Sequence, residues 1–228
     1  MNILKHIPNL FTLGNLSCGV LATLNIFEGR YETAAYLVLF AAVLDFFDGF
    51  LARLFKVSGE LGKQLDSLAD LVTFGVTPSF LLYALADEID GPARFAFLFL
   101  AVFSAYRLAK FNLDTRQTKS FIGVPTPITG IMVMSWSFID NGVSEDLFTY
   151  EYAYAAFCIL LSLLLISEIR LPSLKLGKGP LKTYTQHLFL LIAGILSVVF
   201  FNWMGVPIFY ALYVLSSILF NFATKKSS

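Results

Sequence analysis

The chain has 228 residues, of which 57% are hydrophobic and only 14% are charged. A soluble domain usually contains about 25% charged residues, so this composition excludes a water-soluble globule and favours a membrane protein. Basic and acidic residues are balanced at 16 each, and the resulting zero net charge argues against a nucleic-acid partner.

Eight apolar segments follow one another along the chain, and their lengths suit a hydrocarbon core, which takes about 17–25 helical residues. Their approximate bounds are 10–27, 31–55, 62–86, 92–113, 124–140, 150–167, 183–201 and 206–223. The fifth and the eighth have the shortest firmly apolar stretches, so six or seven spans remain possible. No internal repeat is visible. The sequence therefore predicts a single all-α membrane domain over residues 1–228, a polytopic transmembrane helical bundle of about eight spans (six to eight).

The basic residues predict how these spans are oriented. If the N-terminus is cytoplasmic, every lysine and arginine except Arg30 and Arg94 falls on the inner side. Lysine and arginine are enriched in cytoplasmic loops. We therefore expect an integral protein of the cell membrane with both termini in the cytoplasm.

The second and third segments carry four aspartates at helical spacing. Asp45 and Asp48 are three residues apart, and Asp66 and Asp70 are four apart. Each pair therefore lies on one face of its helix. A turn at 58–59 would bring the two pairs face to face.

Carboxylates in apolar surroundings are costly, because one aspartate at the centre of a membrane helix costs about 2.5–3.5 kcal/mol. Oxygen ligands without a nearby histidine or cysteine suit Mg²⁺ or Mn²⁺, and two such ions could also hold a pyrophosphate. The small residues Gly49, Ala52 and Gly62 leave room for a ligand beside the acids, and Arg53 can pair with a phosphate. The same cluster would also suit a cation-coupled transporter.

The complete pattern is D-x2-D-G-x2-A-R-x8-G-x3-D-x3-D, from Asp45 to Asp70. It resembles the signature of the CDP-alcohol phosphotransferases, and it matches at every signature position. The resemblance implies that all four aspartates bind the metal ions and that Asp70 acts as the general base on the acceptor hydroxyl. It also implies a nucleotide and pyrophosphate site that consists of Gly49, Ala52, Arg53 and Gly62.

The first predicted helix contains a further motif of this family. The run from Pro8 to Gly19 resembles the family's first-helix motif, and the resemblance implies that Thr12 and Asn15 contact the nucleotide or the metal side. Many members that use glycerol phosphate or inositol phosphate carry an arginine near the position of Asn15. An asparagine there is typical of the branch that uses serine.

Two later elements also resemble the serine-using branch, at 107–112 and 121–127. They imply CDP-diacylglycerol as the donor and L-serine as the acceptor. A serine carboxylate needs a cation, and Arg107, with Lys110 and Asn112, would bind this acceptor. Lys110 stands where the family element has a second arginine, so it keeps the charge but loses the bidentate geometry.

The resemblance covers residues 8–127, which we expect to form the catalytic part. The helices from about 128 to 223 would serve as scaffold and as the surface of a homodimer, which the resemblance alone implies. Glycerol 3-phosphate or inositol phosphate remains an alternative acceptor, for which Arg116 and Lys119 could supply positive charge. The transporter remains the alternative of a different class.

Overall fold

The computed structural model describes residues 6–57, 59–113, 121–139, 148–171 and 192–225. In these ranges the chain is almost entirely helical, in agreement with the predicted all-α class. The α-helices are α1 Ile7–Phe27, α2 Tyr31–Phe55, α3 Glu60–Asp70, α4 Thr77–Leu85, α5 Phe97–Leu113, α6 Thr126–Met134, α7 Glu151–Ile166, the described part of α8 at 192–201, and α9 Gly205–Lys225. A π-helical turn spans Leu71–Val76, and 3₁₀ turns span Pro92–Ala96, Ser135–Phe138 and Asn202–Met204.

Several helical stretches of the described chain are long and apolar enough to cross a membrane. They are Ile7–Phe27, Tyr31–Phe55, Glu60–Leu85, Pro92–Leu113 and Ile192–Leu219, and Glu151–Ile166 is apolar but shorter. The first four agree with the predicted segments to within a few residues. The protein is an integral membrane protein, whereas the count of six to eight spans and the side of the termini stay predictions.

The last apolar stretch folds back on itself. A Cβ placed on Gly194 would lie 3.1 Å from the ring of Phe209, although one straight helix would separate these residues by about 22 Å. Gly205 likewise lies against Ser197. The chain reverses at Asn202, whose φ is 52°. Two segments were predicted here, at 183–201 and 206–223; of these residues, 183–191 lie outside the described ranges.

The helix that carries Asp66 and Asp70 widens into the π-helical turn immediately after Asp70. Pro78 stands near the start of α4 and explains the widening. Proline has no N–H to donate and its ring clashes with the carbonyl four residues earlier, here that of Phe74. A π-helical turn moves this carbonyl aside. The Thr77 hydroxyl and backbone N–H both donate to the Val72 carbonyl, the hydroxyl at 2.9 Å.

Helix α1 packs along α2 and also against α3 and the π-helical turn. Close approach is possible at Gly19, where a Cβ would collide with Thr73. The Thr73 hydroxyl donates to the Asn15 carbonyl at 3.1 Å, and the Thr77 hydroxyl donates to the Gly19 carbonyl at 3.0 Å. These contacts fix the height of α1 relative to Asp70.

A short antiparallel ladder joins the chain before α6 to the end of α7. It pairs β1 Phe121–Ile122 with β2 Arg170–Leu171. Gly123, at φ 74°, continues the contact by donating its N–H to the Ile169 carbonyl at 3.0 Å. The ladder thereby fixes the start of α6, where the buried side chain of Thr126 faces α5.

Candidate active site

Helices α2 and α3 present the four aspartates to one common space. Carboxylate oxygens of Asp45, Asp48 and Asp66 all lie within 4.8 Å of one another. The Asp45 carboxyl also lies beside that of Asp70. Asp48 and Asp70 are buried, and Asp45 and Asp66 are half-buried. The two pairs therefore meet as the helical spacing predicted.

This oxygen cluster fits a small divalent cation. Mg²⁺ binds oxygen ligands at about 2.0–2.1 Å, so ligands on opposite sides of one ion lie about 4.2 Å apart. Three oxygens within 4.8 Å of one another need only small shifts to reach that geometry. Without a cation, the mutual repulsion of the carboxylates would oppose this arrangement.

Two polar residues of α1 contact the aspartates directly. The buried Thr12 hydroxyl donates to Asp48 Oδ2 at 2.6 Å. One turn further, the Asn15 amide Nδ2 donates to Asp70 Oδ1 at 3.4 Å. The residues that the first-helix motif singled out therefore contact the metal-side carboxylates, one on each side of the cluster.

The residues predicted to bind the nucleotide lie near the ends of α2 and α3. Gly49, Ala52 and Gly62 are half-buried, and Arg53 is exposed. The Arg53 guanidinium folds back along its helix, so that a Cβ on Gly49 would lie 3.5 Å from Nη1. It also lies within electrostatic range of Asp48. Arg53 is therefore free to meet a phosphate held at the cluster.

Arg107 reaches the site from α5, and it is buried, with 7% of its surface exposed. Its Nη1 donates to the Thr126 hydroxyl at 3.0 Å, and its charge interacts with Asp70 and Tyr213. Its Nε has no hydrogen-bond partner among the described residues. A buried guanidinium thus faces the carboxylate at the end of α3.

The other two predicted serine ligands lie differently. Asn112 Nδ2 donates to Ser67 Oγ at 2.9 Å, and the backbone carbonyl of Asn112 accepts from Lys63 Nζ at 2.6 Å. The Asn112 side chain therefore connects the end of α5 to α3. Lys110 is half-buried on the same turn of α5. Arg116 and Lys119, considered for a phosphorylated acceptor, lie outside the described residues.

A family model described as CDP-alcohol phosphatidyltransferase matches residues 5–163 of the chain. The chain belongs to this family. As a CDP-alcohol phosphotransferase it is an enzyme of phospholipid synthesis, which removes the transporter alternative. The match covers all four aspartates and ends within α7.

The chain is also similar to individual members. It is 33% identical over 223 residues to the CDP-diacylglycerol–serine O-phosphatidyltransferase of Helicobacter pylori strain ATCC 700392 / 26695, covering 96% of this chain and 92% of that protein. The protein of the same name from Bacillus subtilis strain 168 is 33% identical over 173 residues, which cover 75% of this chain and 93% of that protein. The archaetidylserine synthase of Methanothermobacter thermautotrophicus is 32% identical over 169 residues, which cover 73% of this chain and 69% of that protein.

One neighbour of Arg107 comes from the region that the sequence assigned to the scaffold. Tyr213 on α9 is buried and interacts with Arg107, although it lies beyond the residues that the family model matches. Nothing in the local sequence marks it, because it is one of ten tyrosines in apolar surroundings. Thr126, which accepts from Arg107, lies inside the predicted 121–127 element and could have been found there.

Proposed function

We propose that this enzyme transfers the phosphatidyl group of CDP-diacylglycerol to the hydroxyl of L-serine and releases CMP. The observation that carries the choice of acceptor is the buried Arg107 guanidinium within electrostatic range of Asp70. Buried donors need hydrogen-bond partners, and Arg107 Nε has none among the described residues. An acceptor with a carboxylate beside its hydroxyl would supply that partner. The names of the Helicobacter pylori and Bacillus subtilis relatives support serine as this acceptor.

The aspartate cluster fits the Mg²⁺ or Mn²⁺ that we propose as cofactor, with Asp45, Asp48, Asp66 and Asp70 as the residues that would hold two ions. When bound, such ions would neutralise charge on the pyrophosphate and on the departing CMP. Thr12 keeps the Asp48 carboxylate turned toward the cluster through its 2.6 Å hydrogen bond. Such support of a ligand by a second residue typically changes metal affinity 10–100-fold.

In the proposed reaction Asp70 takes the proton of the acceptor hydroxyl. The hydroxyl oxygen then forms a bond to the lipid-side phosphorus. The bond from that phosphorus to the bridging oxygen of the pyrophosphate breaks, and CMP leaves with the electron pair. Arg53 pairs with the phosphate charge from the end of α2, and the small Gly49, Ala52 and Gly62 border the nucleotide.

We also propose that the site opens on the cytoplasmic side of the membrane. Arg53 and Lys63 lie at the end of the α2–α3 pair that the charge distribution assigns to the cytoplasm, so we place the opening of the site on that side. Membrane lipids surround the exposed apolar faces of the helices, which include Leu24, Phe40 and Leu98. The homodimer remains a prediction from the family.

The proposal is tested by CMP release from purified protein in detergent, with CDP-diacylglycerol and Mg²⁺ or Mn²⁺. L-serine, glycerol 3-phosphate and inositol phosphate are supplied one at a time. We expect release with serine alone, and we expect Arg107→Gln to raise the KM for serine. Arg94→Gln is the matched control, because Arg94 stacks over Tyr83 elsewhere in the same helical stretch. Release with a phosphorylated acceptor and none with serine would overturn the proposal.

A further inference from the structure

In the part of the chain that the structure describes, only one half of the Asn15 amide group is hydrogen-bonded. Its Nδ2 donates to Asp70, and its Oδ1 has no hydrogen-bond partner among the described residues. The residue is completely buried, with 0% of its surface exposed. Leaving a buried acceptor unpaired destabilises the folded protein, because the oxygen loses its water without gaining a donor. Because buried polar side-chain atoms are almost always paired in folded proteins, this oxygen indicates a missing donor.

The position of this oxygen is well fixed. The Thr73 hydroxyl holds the backbone carbonyl of Asn15, and α1 is in close contact with Thr73 at Gly19. The reverse orientation of the amide would place its oxygen against the Asp70 carboxylate oxygen, where the two acceptors repel each other. The unpaired oxygen therefore lies beside Asp70 and cannot exchange places with the nitrogen at low cost.

We propose that Asn15 Oδ1 accepts a hydrogen bond from the ammonium group of the acceptor substrate and so determines its specificity. The inference rests on the proposed function. Serine presents a hydroxyl, a carboxylate and an ammonium group on three adjacent carbons. Asp70 takes the hydroxyl and Arg107 the carboxylate, and the ammonium group is left as a group that can only donate. Asn15 Oδ1 belongs to the same amide group whose Nδ2 donates to Asp70, and it has no donor among the described residues.

Arg107 supplies the complementary observation. Within the described ranges its Nε is an unpaired buried donor, so the two residues that interact with Asp70 from α1 and α5 offer one unused acceptor and one unused donor there. A zwitterion satisfies both at once. An acceptor that lacks the ammonium group leaves Asn15 Oδ1 unpaired, and one that lacks the carboxylate leaves Arg107 Nε unpaired. The pair therefore selects an amino acid over a simple alcohol.

The experiment compares three acceptors in the CMP-release assay. L-serine carries both charged groups, 3-hydroxypropionate lacks the ammonium group, and ethanolamine lacks the carboxylate. A hydrogen bond to a charged group contributes about 1.5–3 kcal/mol, so kcat/KM should favour serine over 3-hydroxypropionate by about 10- to 150-fold. In Asn15→Leu this ratio should fall to a few-fold, whereas the ratio of serine to ethanolamine should stay as in the wild type.

Asn25→Leu is the matched control, since Asn25 lies on the same helix and its side chain donates, among the described residues, to the Leu21 carbonyl. It should leave both ratios unchanged. An unchanged ratio of serine to 3-hydroxypropionate in Asn15→Leu would overturn the inference, as would a loss confined to the affinity for CDP-diacylglycerol. If Asn15→Leu is inactive with every acceptor, inhibition of the wild-type enzyme by 3-hydroxypropionate provides the test. There 3-hydroxypropionate should inhibit serine turnover with a Ki at least about tenfold above the KM for serine, and an equal Ki would overturn the inference.

These outcomes separate the inference from the proposed function. Wild-type protein that uses a phosphorylated acceptor and ignores serine removes both. Wild-type protein that uses serine, together with a variant that keeps the wild-type selectivity, removes only the role of Asn15.

Discussion

The contact between α1 and the π-helical turn makes Gly19 sensitive to substitution. In Gly19→Ala the new Cβ would lie 2.8 Å from Thr73 Cα and would collide with the Thr73 hydroxyl. Backbone atoms cannot move aside like the end of a flexible side chain, so α1 must shift. The shift strains the Thr73 hydrogen bond to Asn15 and the Thr77 hydrogen bond to Gly19.

Opposing effects set the magnitude. Replacing glycine by alanine inside a helix stabilises it by about 1 kcal/mol. Overpacking of a tight contact costs about 1–3 kcal/mol, and each of the two hydrogen bonds contributes about 1 kcal/mol. With both bonds lost, we expect a net loss of about 2–4 kcal/mol in the free energy of unfolding. At roughly 2–4 °C per kcal/mol for a chain of this size, the thermal midpoint falls by several degrees.

Gly14→Ala is the matched control on the same helix. Its Cβ would meet only the end of the Leu44 side chain, at 3.1 Å. Leu44 can rotate away, so the gain in helix propensity should leave this variant as stable as the wild type or about 1 kcal/mol more stable. The assay is thermal unfolding of both variants in the same detergent, followed by CMP release. Equal stability of the two variants would refute the role assigned to the contact between Gly19 and Thr73.

Three further predictions concern single side chains. Asp70→Asn should still bind CDP-diacylglycerol but lose turnover; full CMP release by this variant would remove Asp70 from the mechanism. Thr12→Val should raise the Mn²⁺ concentration needed for half-maximal activity by about 10–100-fold, as measured by metal titration of CMP release. Thr12→Ser keeps the hydroxyl and should resemble the wild type. Equal Mn²⁺ affinity in both variants would count against Thr12 as a support of Asp48. Asn112→Ala should lower stability by about 1 kcal/mol through the lost bond to Ser67. If Asn112 only connects α5 to α3, the KM for serine stays within a few-fold; a large rise in that KM would support the acceptor-binding role that the sequence predicted.

Local spacing allowed much of the site to be predicted. The i, i+3 and i, i+4 intervals fix the faces of Asp45, Asp48, Asp66 and Asp70 on their helices, and a turn before Glu60 is enough to bring the faces together. The apolar lengths likewise gave the bounds of the first four helical stretches. Both kinds of information are local in sequence, so neither depends on how distant helices pack.

The remaining features depend on packing between distant residues. The bond from Asn15 to Asp70 joins residues 55 positions apart, and it requires the close approach at Gly19. The interaction of Tyr213 with Arg107 requires the return of α9 to α5. The π-helical turn could have been anticipated from Pro78, because a proline inside a continuous helical segment displaces the carbonyl four residues earlier.

The most direct test of the central claim follows the acceptor oxygen. The wild-type enzyme is supplied with CDP-diacylglycerol, Mn²⁺ and L-serine labelled with ¹⁸O in the hydroxyl group, and both products are analysed by mass spectrometry. The account predicts equal amounts of CMP and phosphatidylserine, with the label in the lipid and none in CMP, since the hydroxyl oxygen forms the new bond to phosphorus. Unlabelled phosphatidylserine, or CMP release without any serine-containing lipid, would contradict it.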